Sequence, residues 1–475
     1  MYRTIHLGPA GCALDLGDGS ERGEYVDQDY ILNVLGRPHR MVNIMYTYYP
    51  KDEQWPARIS EACSDMKVGF LWDYPYDDYP PFCEGGPQYD QMRDIRRHGQ
   101  DVMLTITMDC SLDDEHIRNI ARKLKVYGRM FLRINHECNG DWFTHNRRFS
   151  YEEVAAFFVR AAGIIRQEAP NVRIVFCAGL ADEDSDGAGA EDVRVQCEDV
   201  FADAYRTADV WSADKYLALN YGWPYEVAEV GGTKYTSDDP AKLFDRYKRT
   251  YDRLSQLFGA KPFIQAELNA DADVTGPLHQ GEKVCAYYDM VKTAKASWLT
   301  GISMYQFRDR GRLGLEIEDP NNSSVGIRQP LMDDYKKILS DPYFMPGIEP
   351  GDEASFPVTL RWGGSEDADG IEIELAFDNT PEFCEVSFED DLSLMIELNG
   401  RWFYKSPGVS DVDLMPAFFA DRFSHKRIIP LRIFATPPDG ENHENGRDDW
   451  MTDQYYVLNK MPEMRIRYIT PASGV

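Results

Sequence analysis

Residues 129–143 have the sequence RMFLRINHECNGDWF. The apolar run from Met130 to Ile134 ends abruptly in Asn135-His136-Glu137, and the turn-forming pair Asn139-Gly140 follows. An apolar run without alternation is typical of a parallel strand that is covered on both faces, and an Asn-Gly pair marks the point where a strand becomes a loop. The stretch therefore predicts a buried strand whose C-terminal end carries a carboxylic acid, Glu137, into a cleft.

The same pattern, an apolar strand followed by an amphipathic helix, recurs on both sides of this stretch. Strands that alternate with helices imply parallel βαβ units. Eight such strands predict a (β/α)8 TIM barrel over residues 40–341, and no phosphate-binding glycine motif of a doubly wound fold follows any of them. The predicted strands are Arg40–Tyr46, Val68–Trp72, Asp101–Thr107, Met130–Asn135, Val172–Cys177, Val210–Tyr216, Pro262–Glu267 and Gly301–Phe307.

Two of the intervening helices carry clear end signals. Ser150 and Glu153 have the spacing of a capping box, and they open an amphipathic helix. Asp239-Pro240 opens another helix, which Gly259 ends, in the order that helix termini prefer.

The flanks of the predicted barrel differ from it in composition. Residues 1–39 are rich in glycine and acidic residues, and we expect them to form an extension packed on the barrel. Residues 342–357 contain several Pro and Gly residues and predict a linker. Short alternating runs separated by turn signals such as Asn399-Gly400 then predict an antiparallel, immunoglobulin-like β-sandwich over residues 358–475.

Charge and cysteine content limit the partners of the chain. With 51 basic and 80 acidic residues the formal net charge is -29, which argues against nucleic acid or an anionic membrane as a partner and favours a neutral ligand. The nine scattered cysteines form no CxxC motif, so neither a disulfide framework nor a zinc ribbon is expected. Because the sequence shows no signal-peptide pattern and no membrane-spanning run, we expect a soluble protein, either cytoplasmic or secreted after removal of a signal.

Two glutamates end predicted strands of the barrel. Glu137 follows the fourth strand and Glu267 ends the seventh, so both are expected at the C-terminal face, where TIM barrels carry their active sites. Hydrolysis of a glycosidic bond needs two facing carboxyl groups, and a separation of about 5–5.5 Å gives retention through a covalent glycosyl-enzyme. No cofactor is expected for this chemistry. Other side chains near strand ends and in the loops that follow are predicted to bind the substrate, namely Tyr46, Trp72, Asn135, Trp223, Gln306 and Arg308.

This arrangement resembles the clan A retaining glycoside hydrolases. Around the fourth strand the sequence is most similar to glycoside hydrolase family 26, the endo-β-mannanases, in Arg133, His136-Glu137, Asn139-Gly140 and Trp142-Phe143. The resemblance implies that Glu137 is the acid/base and Glu267 the nucleophile. It also implies that His136 contacts the sugar, that Trp142 stacks on it, and that Tyr216 hydrogen-bonds the nucleophile. Arg133 is expected either to bridge layers of the barrel or to neutralise Glu267.

Several alternatives stay open at this point. Family 26 has Pro where this chain has Ile134, and the eighth strand ends in Tyr305-Gln306-Phe307 without the tryptophan that many clan members carry there. An endo-β-1,3-glucanase of the same clan therefore fits as well as a β-mannanase. From another class, a metal-dependent sugar isomerase or epimerase would use Glu137, Asp214, Glu267, Asp309 and His136 as ligands. A glycan-binding protein without catalytic activity is the third reading.

Overall fold

The computed structural model describes residues 2–18, 24–51, 54, 79–140, 143, 145, 148–180, 200–220, 235–363, 367–419, 427–436 and 454–468. Within these ranges eight parallel strands close into a barrel with helices outside it, which is the architecture of a TIM barrel. In order around the barrel, the first to eighth strands are Ala13–Gly17, Met41–Tyr48, Asp101–Met108, Met130–Ile134, Val172–Cys177, Val210–Asp214, Phe263–Leu268 and Leu299–Met304.

Each barrel strand is buried on both faces. Inward-facing side chains at one level, including Met41, Met103 and Ile264, form a small apolar cluster inside the barrel. The outward-facing side chains pack with the helices in a much larger cluster. This double burial explains why the strands appear in the sequence as continuous apolar runs.

Helices follow the strands around the barrel, and none of those described is both long and apolar enough to cross a bilayer. The capping box of Ser150 and Glu153 is formed, and Asp239 caps the helix that ends before Gly259, so both helix predictions are confirmed. The described α-helices are Gln28–Leu35, Gln88–Arg97, Asp114–Leu124, Tyr151–Glu168, Ala202–Thr207, Pro240–Phe258, Ala272–Thr275, Gln280–Ala294 and Leu331–Leu339.

The N-terminal prediction is wrong, because residues 1–39 are not a separate extension. Ala13–Gly17 is the first barrel strand, lying between the second and eighth strands. Its central residue, Asp15, is buried inside the barrel and forms an ion pair with Arg40 at 2.6 Å. A short strand with an acid at its centre lacks the apolar run by which the other strands are recognised. The predicted strand Val68–Trp72 lies outside the described residues.

The C-terminal region consists of antiparallel strands in two sheets that share one apolar core, as a sandwich requires. One sheet also contains Tyr2–Gly8, which pairs with Gly347–Glu353 and Asp367–Ala376. The predicted linker 342–357 therefore contains a strand. The immunoglobulin-like topology remains a prediction. The other strands of the two sheets are Val358–Gly363, Pro381–Ser387, Leu394–Leu398, Arg401–Lys405, Asp411–Asp413, Ile428–Ala435, Gln454–Leu458 and Glu463–Tyr468.

Two small sheets extend the mouth of the barrel. Ala218–Asn220 and Tyr235–Ser237 form a hairpin after the sixth strand. Arg308–Asp309, Glu316–Asp319 and Asn322–Arg328 form a three-stranded sheet after the eighth strand. Both lie at the C-terminal face, so they add walls beside the predicted active site.

Candidate active site

Arg133, on the fourth barrel strand, is the centre of a polar cluster inside the barrel. Its side chain is completely buried and donates from Nη1 to Asp214 Oδ2 and from Nη2 to Glu267 Oε1, each at 2.6 Å. Its Nε donates to Thr105 Oγ1 at 2.8 Å. One guanidinium thus joins side chains of the third, sixth and seventh strands, and the planar geometry of the group fixes their relative positions.

Glu267 lies next to the end of the seventh strand and is 5% exposed. Its Oε2 accepts a hydrogen bond of 2.5 Å from the Tyr216 hydroxyl, while Oε1 accepts from Arg133. His136 Nε2 is 3.9 Å from the same Oε1. With a strong donor on each oxygen, the Glu267 carboxyl group is held in one orientation at the mouth of the barrel.

His136 forms part of the wall around Glu267. Its Nε2 is 3.0 Å from the Tyr79 hydroxyl, and its ring centroid is 4.6 Å from that of Phe143. Burial holds the pKa of His136 well below its usual range, and the positive charge of Arg133 lowers it further. The imidazole is therefore neutral at physiological pH and offers hydrogen bonds without adding charge.

Asp214 shares the Arg133 guanidinium with Glu267. Its Oδ2 also accepts a hydrogen bond from Cys177 Sγ at 3.2 Å. Burial raises the pKa of Asp214 to about 7, with the charge of Arg133 opposing this rise and that of Glu267 adding to it. Two buried carboxyl groups and one cation hold an excess negative charge, and a proton on Asp214 removes it.

Glu137 follows the fourth strand in an unusual backbone conformation. Its φ is 49°, in the left-handed region, and Asn135, two residues earlier, has φ 46°. Both are uncommon for residues other than glycine and are often found at functional sites. The Gly140 N–H donates to the Glu137 carbonyl at 2.8 Å and closes a turn. Glu137 is more exposed than Glu267, and it follows His136 directly in the chain.

Asn135 holds the strand ends together. Its Oδ1 accepts from the Met108 N–H at 2.6 Å, and its Nδ2 donates to the Met108 carbonyl at 3.2 Å. Both polar ends of the buried amide are therefore engaged by the third strand, and the predicted contact of Asn135 with substrate stays a prediction. Its position helps to fix the turn that carries His136 and Glu137.

Two other predicted binding residues have side-chain partners outside the polar cluster around Arg133. Tyr46 lies on the outer face of the second strand, where its hydroxyl donates to Gln91 Oε1 at 2.6 Å, because side chains alternate along a strand and its neighbour Met45 faces inward. Arg308 donates to Glu316 Oε2 at 2.8 Å within the three-stranded sheet. Tyr46 thus packs beneath a helix and Arg308 stabilises a loop, and their predicted contacts with substrate stay predictions.

The remaining predicted residues are only partly placed. Gln306 is 3% exposed, and its Nε2 donates to Asp309 Oδ1 at 3.1 Å. Trp72, Trp142 and Trp223 lie outside the described residues, so their predicted stacking on sugar is not tested.

An aromatic wall, in which Tyr216 is the residue that the sequence assigned a role, lies beside Glu267. Tyr216 and Tyr305 contact each other edge to face, with ring centroids 5.8 Å apart, and Tyr79 and Phe143 belong to the same cluster. Tyr305 directly follows the eighth strand, so extending the count of alternate inward positions by one residue beyond the strand would have indicated it. Tyr79 lies in the connection after the predicted strand Val68–Trp72, and no local pattern indicates its position.

His136, Asp214 and Glu267 place potential metal-ligand atoms within 4.8 Å of one another. The other two ligands required by the isomerase hypothesis, Glu137 and Asp309, are not in this group, which is the one such group among the described residues. Arg133 already donates to both carboxyl groups and supplies their positive charge. In this structure the cation at the centre of the cluster is thus the Arg133 guanidinium.

Comparisons with known proteins found structural similarity at low sequence identity. No family model and no curated protein matches the chain. Among solved structures, a β-glycosidase is similar with a TM-score of 0.47 and 12% identity over 74% of this chain and 99% of its own. A GH26 β-mannanase from Bacteroides ovatus has a TM-score of 0.42 and 11% identity over 70% and 90%. An endo-β1,6-glucanase has a TM-score of 0.43 and 10% identity over 91% and 94%.

Proposed function

We propose that this chain is a retaining glycoside hydrolase that cleaves β-linked oligo- or polysaccharides, with Glu267 as nucleophile and Glu137 as acid/base. The carrying observation is the Glu267 carboxyl group at the barrel mouth, held on one oxygen by Arg133 and on the other by Tyr216. The imidazole of His136, the residue before Glu137, is 3.9 Å from Glu267. The backbone of Glu137 therefore lies beside the same barrel mouth as Glu267. A pair of catalytic carboxyl groups requires this proximity.

In the proposed first step Glu267 attacks the anomeric carbon of the sugar. The glycosidic C–O bond breaks as the new C–O bond to Glu267 forms, and Glu137 gives its proton to the departing oxygen. In the second step Glu137 takes a proton from water, which attacks the anomeric carbon and releases Glu267. The sugar leaves with its original anomeric configuration, and both glutamates return to their starting protonation states.

The surroundings of the two glutamates suit these different roles. A nucleophile must be aligned with the anomeric carbon, and the two donors on Glu267 restrict its carboxyl group to one orientation. An acid/base must reach both the leaving group and water, and Glu137 is the more exposed of the two. The neutral His136 and the tyrosines of the wall offer hydrogen bonds and apolar ring faces, which match a neutral sugar.

We propose β-mannan as the first substrate to test and β-1,3-glucan as the alternative. The test measures release of reducing ends from β-mannan, β-1,3-glucan, mixed-linkage glucan and xylan by the wild type, Glu137→Ala and Glu267→Ala. Cleavage of one polysaccharide by the wild type alone supports the proposal and identifies the substrate. Binding of a polysaccharide without cleavage by any of the three proteins would instead indicate a glycan-binding protein.

The competing proposal, a metal-dependent sugar isomerase or epimerase, draws support from the approach of His136, Asp214 and Glu267. A divalent cation there would have to displace or share the contacts of Arg133. Including EDTA in every assay separates the two proposals. A hydrolase keeps its activity in the chelator, whereas conversion of a monosaccharide that EDTA abolishes and added Mn²⁺ restores would replace our proposal.

A further inference from the structure

A cavity of about 110 Å³ lies at the end of the barrel opposite Glu267. Ala13, Asp101 and Thr300, at or near the first residues of their strands, line it from the barrel. Met395 and Trp402 line it from the antiparallel sheets. The cavity is therefore enclosed jointly by the two parts of the chain. Because active sites of TIM barrels lie at the other end, it is separate from the proposed catalytic centre.

The walls of this cavity are largely apolar, with contributions from Leu7, Leu14, Phe344, Pro346, Met395 and Trp402. An apolar protein cavity of about 150 Å³ is large enough for benzene, which has six non-hydrogen atoms, so this one encloses about four to five, and the remaining atoms of a longer ligand extend towards its open side. Pro9 and Ala10 also line it, and they are exposed and partly exposed, so the cavity has a side open to solvent.

The charged residues around the cavity are mainly basic, although the chain as a whole has a net charge of -29. Three arginines and one aspartate line it. Arg40 is paired with Asp15 at 2.6 Å, and Arg129 is paired with Asp101 at 3.1 Å. The third arginine that lines the cavity is Arg37.

Arg37 is 7% exposed and has no carboxylate within ion-pair distance among the described residues. Its Nη1 donates to the Leu339 carbonyl at 2.8 Å, and the guanidinium also donates to the Phe344 carbonyl at 3.3 Å. Leu339 ends a helix, whose C-terminus supplies about half an elementary negative charge. Burial lowers the pKa of Arg37 to about 10, which keeps it protonated at physiological pH. The helix terminus offsets only part of the positive charge of Arg37, and no carboxylate among the described residues pairs with the rest.

We propose that this cavity binds a small organic carboxylate, with Arg37 as the charge partner of the carboxyl group and the walls around Trp402 and Phe344 enclosing its apolar body. A carboxylate of this kind supplies the missing negative charge and buries apolar surface at once. Inorganic phosphate matches less well, because apolar walls do not provide the many donors that a phosphate group needs. The proposal does not depend on the hydrolase activity.

The test uses butyrate as probe on the full chain, with binding followed by calorimetry and by saturation-transfer NMR. Butyramide, which has the same shape without the charge, is the matched ligand control, and inorganic phosphate is the competitor. We expect saturable binding of butyrate at one site, at least tenfold tighter than that of butyramide and unaffected by phosphate. Absence of saturable binding, or equal binding of butyramide, overturns the proposal, as does displacement of butyrate by phosphate.

Two variants locate the bound probe. Arg37→Met should weaken butyrate binding at least tenfold, and Ala10→Phe, which fills the open side while keeping the arginine, should weaken it similarly. Arg173→Met, at an exposed arginine outside the cavity lining, is the control and should bind as the wild type does. Should Arg37→Met fail to fold, Ala10→Phe alone decides, and wild-type affinity in that variant places the probe elsewhere and refutes the proposal.

Discussion

Arg133 Nη2 and Glu267 Oε1 are 2.6 Å apart, although the two residues belong to the fourth and seventh strands of the barrel. The same guanidinium holds Asp214 on the sixth strand at the same distance. Because all three side chains are buried, this contact serves both the shape of the barrel mouth and the position of the proposed nucleophile.

We therefore expect Arg133→Met to be damaging in two ways. Removing the cation leaves two buried carboxyl groups unpaired, which should lower the free energy of unfolding by about 3–5 kcal/mol. It should also lower kcat/KM strongly, since Glu267 loses one of its two donors. Urea unfolding and steady-state kinetics measure the two effects. Arg133→Lys keeps the charge but loses the two-pronged donor geometry of the guanidinium, so it should recover stability more than activity. Wild-type kinetics in Arg133→Met would contradict a role of Arg133 in positioning Glu267.

Tyr216→Phe isolates the second donor to Glu267. The variant keeps the aromatic ring and loses the 2.5 Å hydrogen bond, so we expect kcat to fall about 10–100-fold, the value of a hydrogen bond to a charged group. Tyr305→Phe is the matched control, because the Tyr305 hydroxyl donates to Met45 Sδ, a weak acceptor, at 3.6 Å. Equal losses in the two variants would mean that the ring environment, rather than the bond to Glu267, determines the rate.

Azide distinguishes the roles of the two glutamates. In Glu137→Ala, an activated substrate still forms the glycosyl-enzyme, so azide should replace the water that lacks its base and give a product of retained configuration. In Glu267→Gly, azide should occupy the vacated space and attack directly, giving the inverted configuration. NMR of the glycosyl azide reads the anomeric configuration. The opposite pattern would exchange the two roles, and wild-type turnover, which needs no rescue, serves as the reference.

Asp214→Asn should change the pH dependence of stability. The folded-state pKa of Asp214 is raised to about 7, so the folded protein binds more protons than the unfolded chain between about pH 4 and pH 7. The group therefore makes the wild type progressively less stable as pH rises through this window. The variant has no proton to lose, so its stability relative to wild type should increase from pH 4 to pH 7, by on the order of 2–4 kcal/mol.

Thermal unfolding of both proteins at pH 4, 5, 6, 7 and 8 tests this. A difference between them that stays constant across the series would show that Asp214 ionises at its ordinary pKa. Cys177→Ser, which leaves a donor beside Asp214, should retain the pH dependence of the wild type.

Physical patterns explain which parts of the fold the sequence predicts. Long strands buried on both faces, such as Asp101–Met108, appear as apolar runs and are predicted almost to the residue. Ala13–Gly17 is missed because its buried Asp15 interrupts the apolar pattern and is tolerated only through Arg40, a partner that local sequence does not indicate. The prediction omits Ala13–Gly17 and counts Val68–Trp72, which lies outside the described residues, so the later strands keep their numbers. Glu137 therefore still follows the fourth strand and Glu267 still lies on the seventh.

In the candidate site, too, strand patterns predict some positions and fail to predict others. The position of Glu267 follows from the end of its strand, and its contact with Tyr216 agrees with what the family resemblance implies. Tyr46 lies on the outer face of its strand, one position of alternation away from the inward-facing Met45. Arg308 pairs with Glu316, eight residues later, across a small sheet that has no clear strand signal in the sequence. Contacts made by loops were therefore the part that local patterns could not supply.

Because Tyr2–Gly8 belongs to the antiparallel sheet, the barrel is inserted, in sequence, between two neighbouring strands of that sheet. This strand is hydrogen-bonded to Gly347–Glu353, so the polypeptide leaves the antiparallel sheet, builds all eight barrel strands, and returns to the neighbouring position in the same sheet. Entry and exit of the barrel segment are thereby held side by side. A fragment that begins at residue 40 would lack a barrel strand, and one that ends at residue 341 would separate Tyr2–Gly8 from its partners. The smallest fragment that keeps the whole barrel and its closing contacts therefore includes the antiparallel pair Tyr2–Gly8 and Gly347–Glu353.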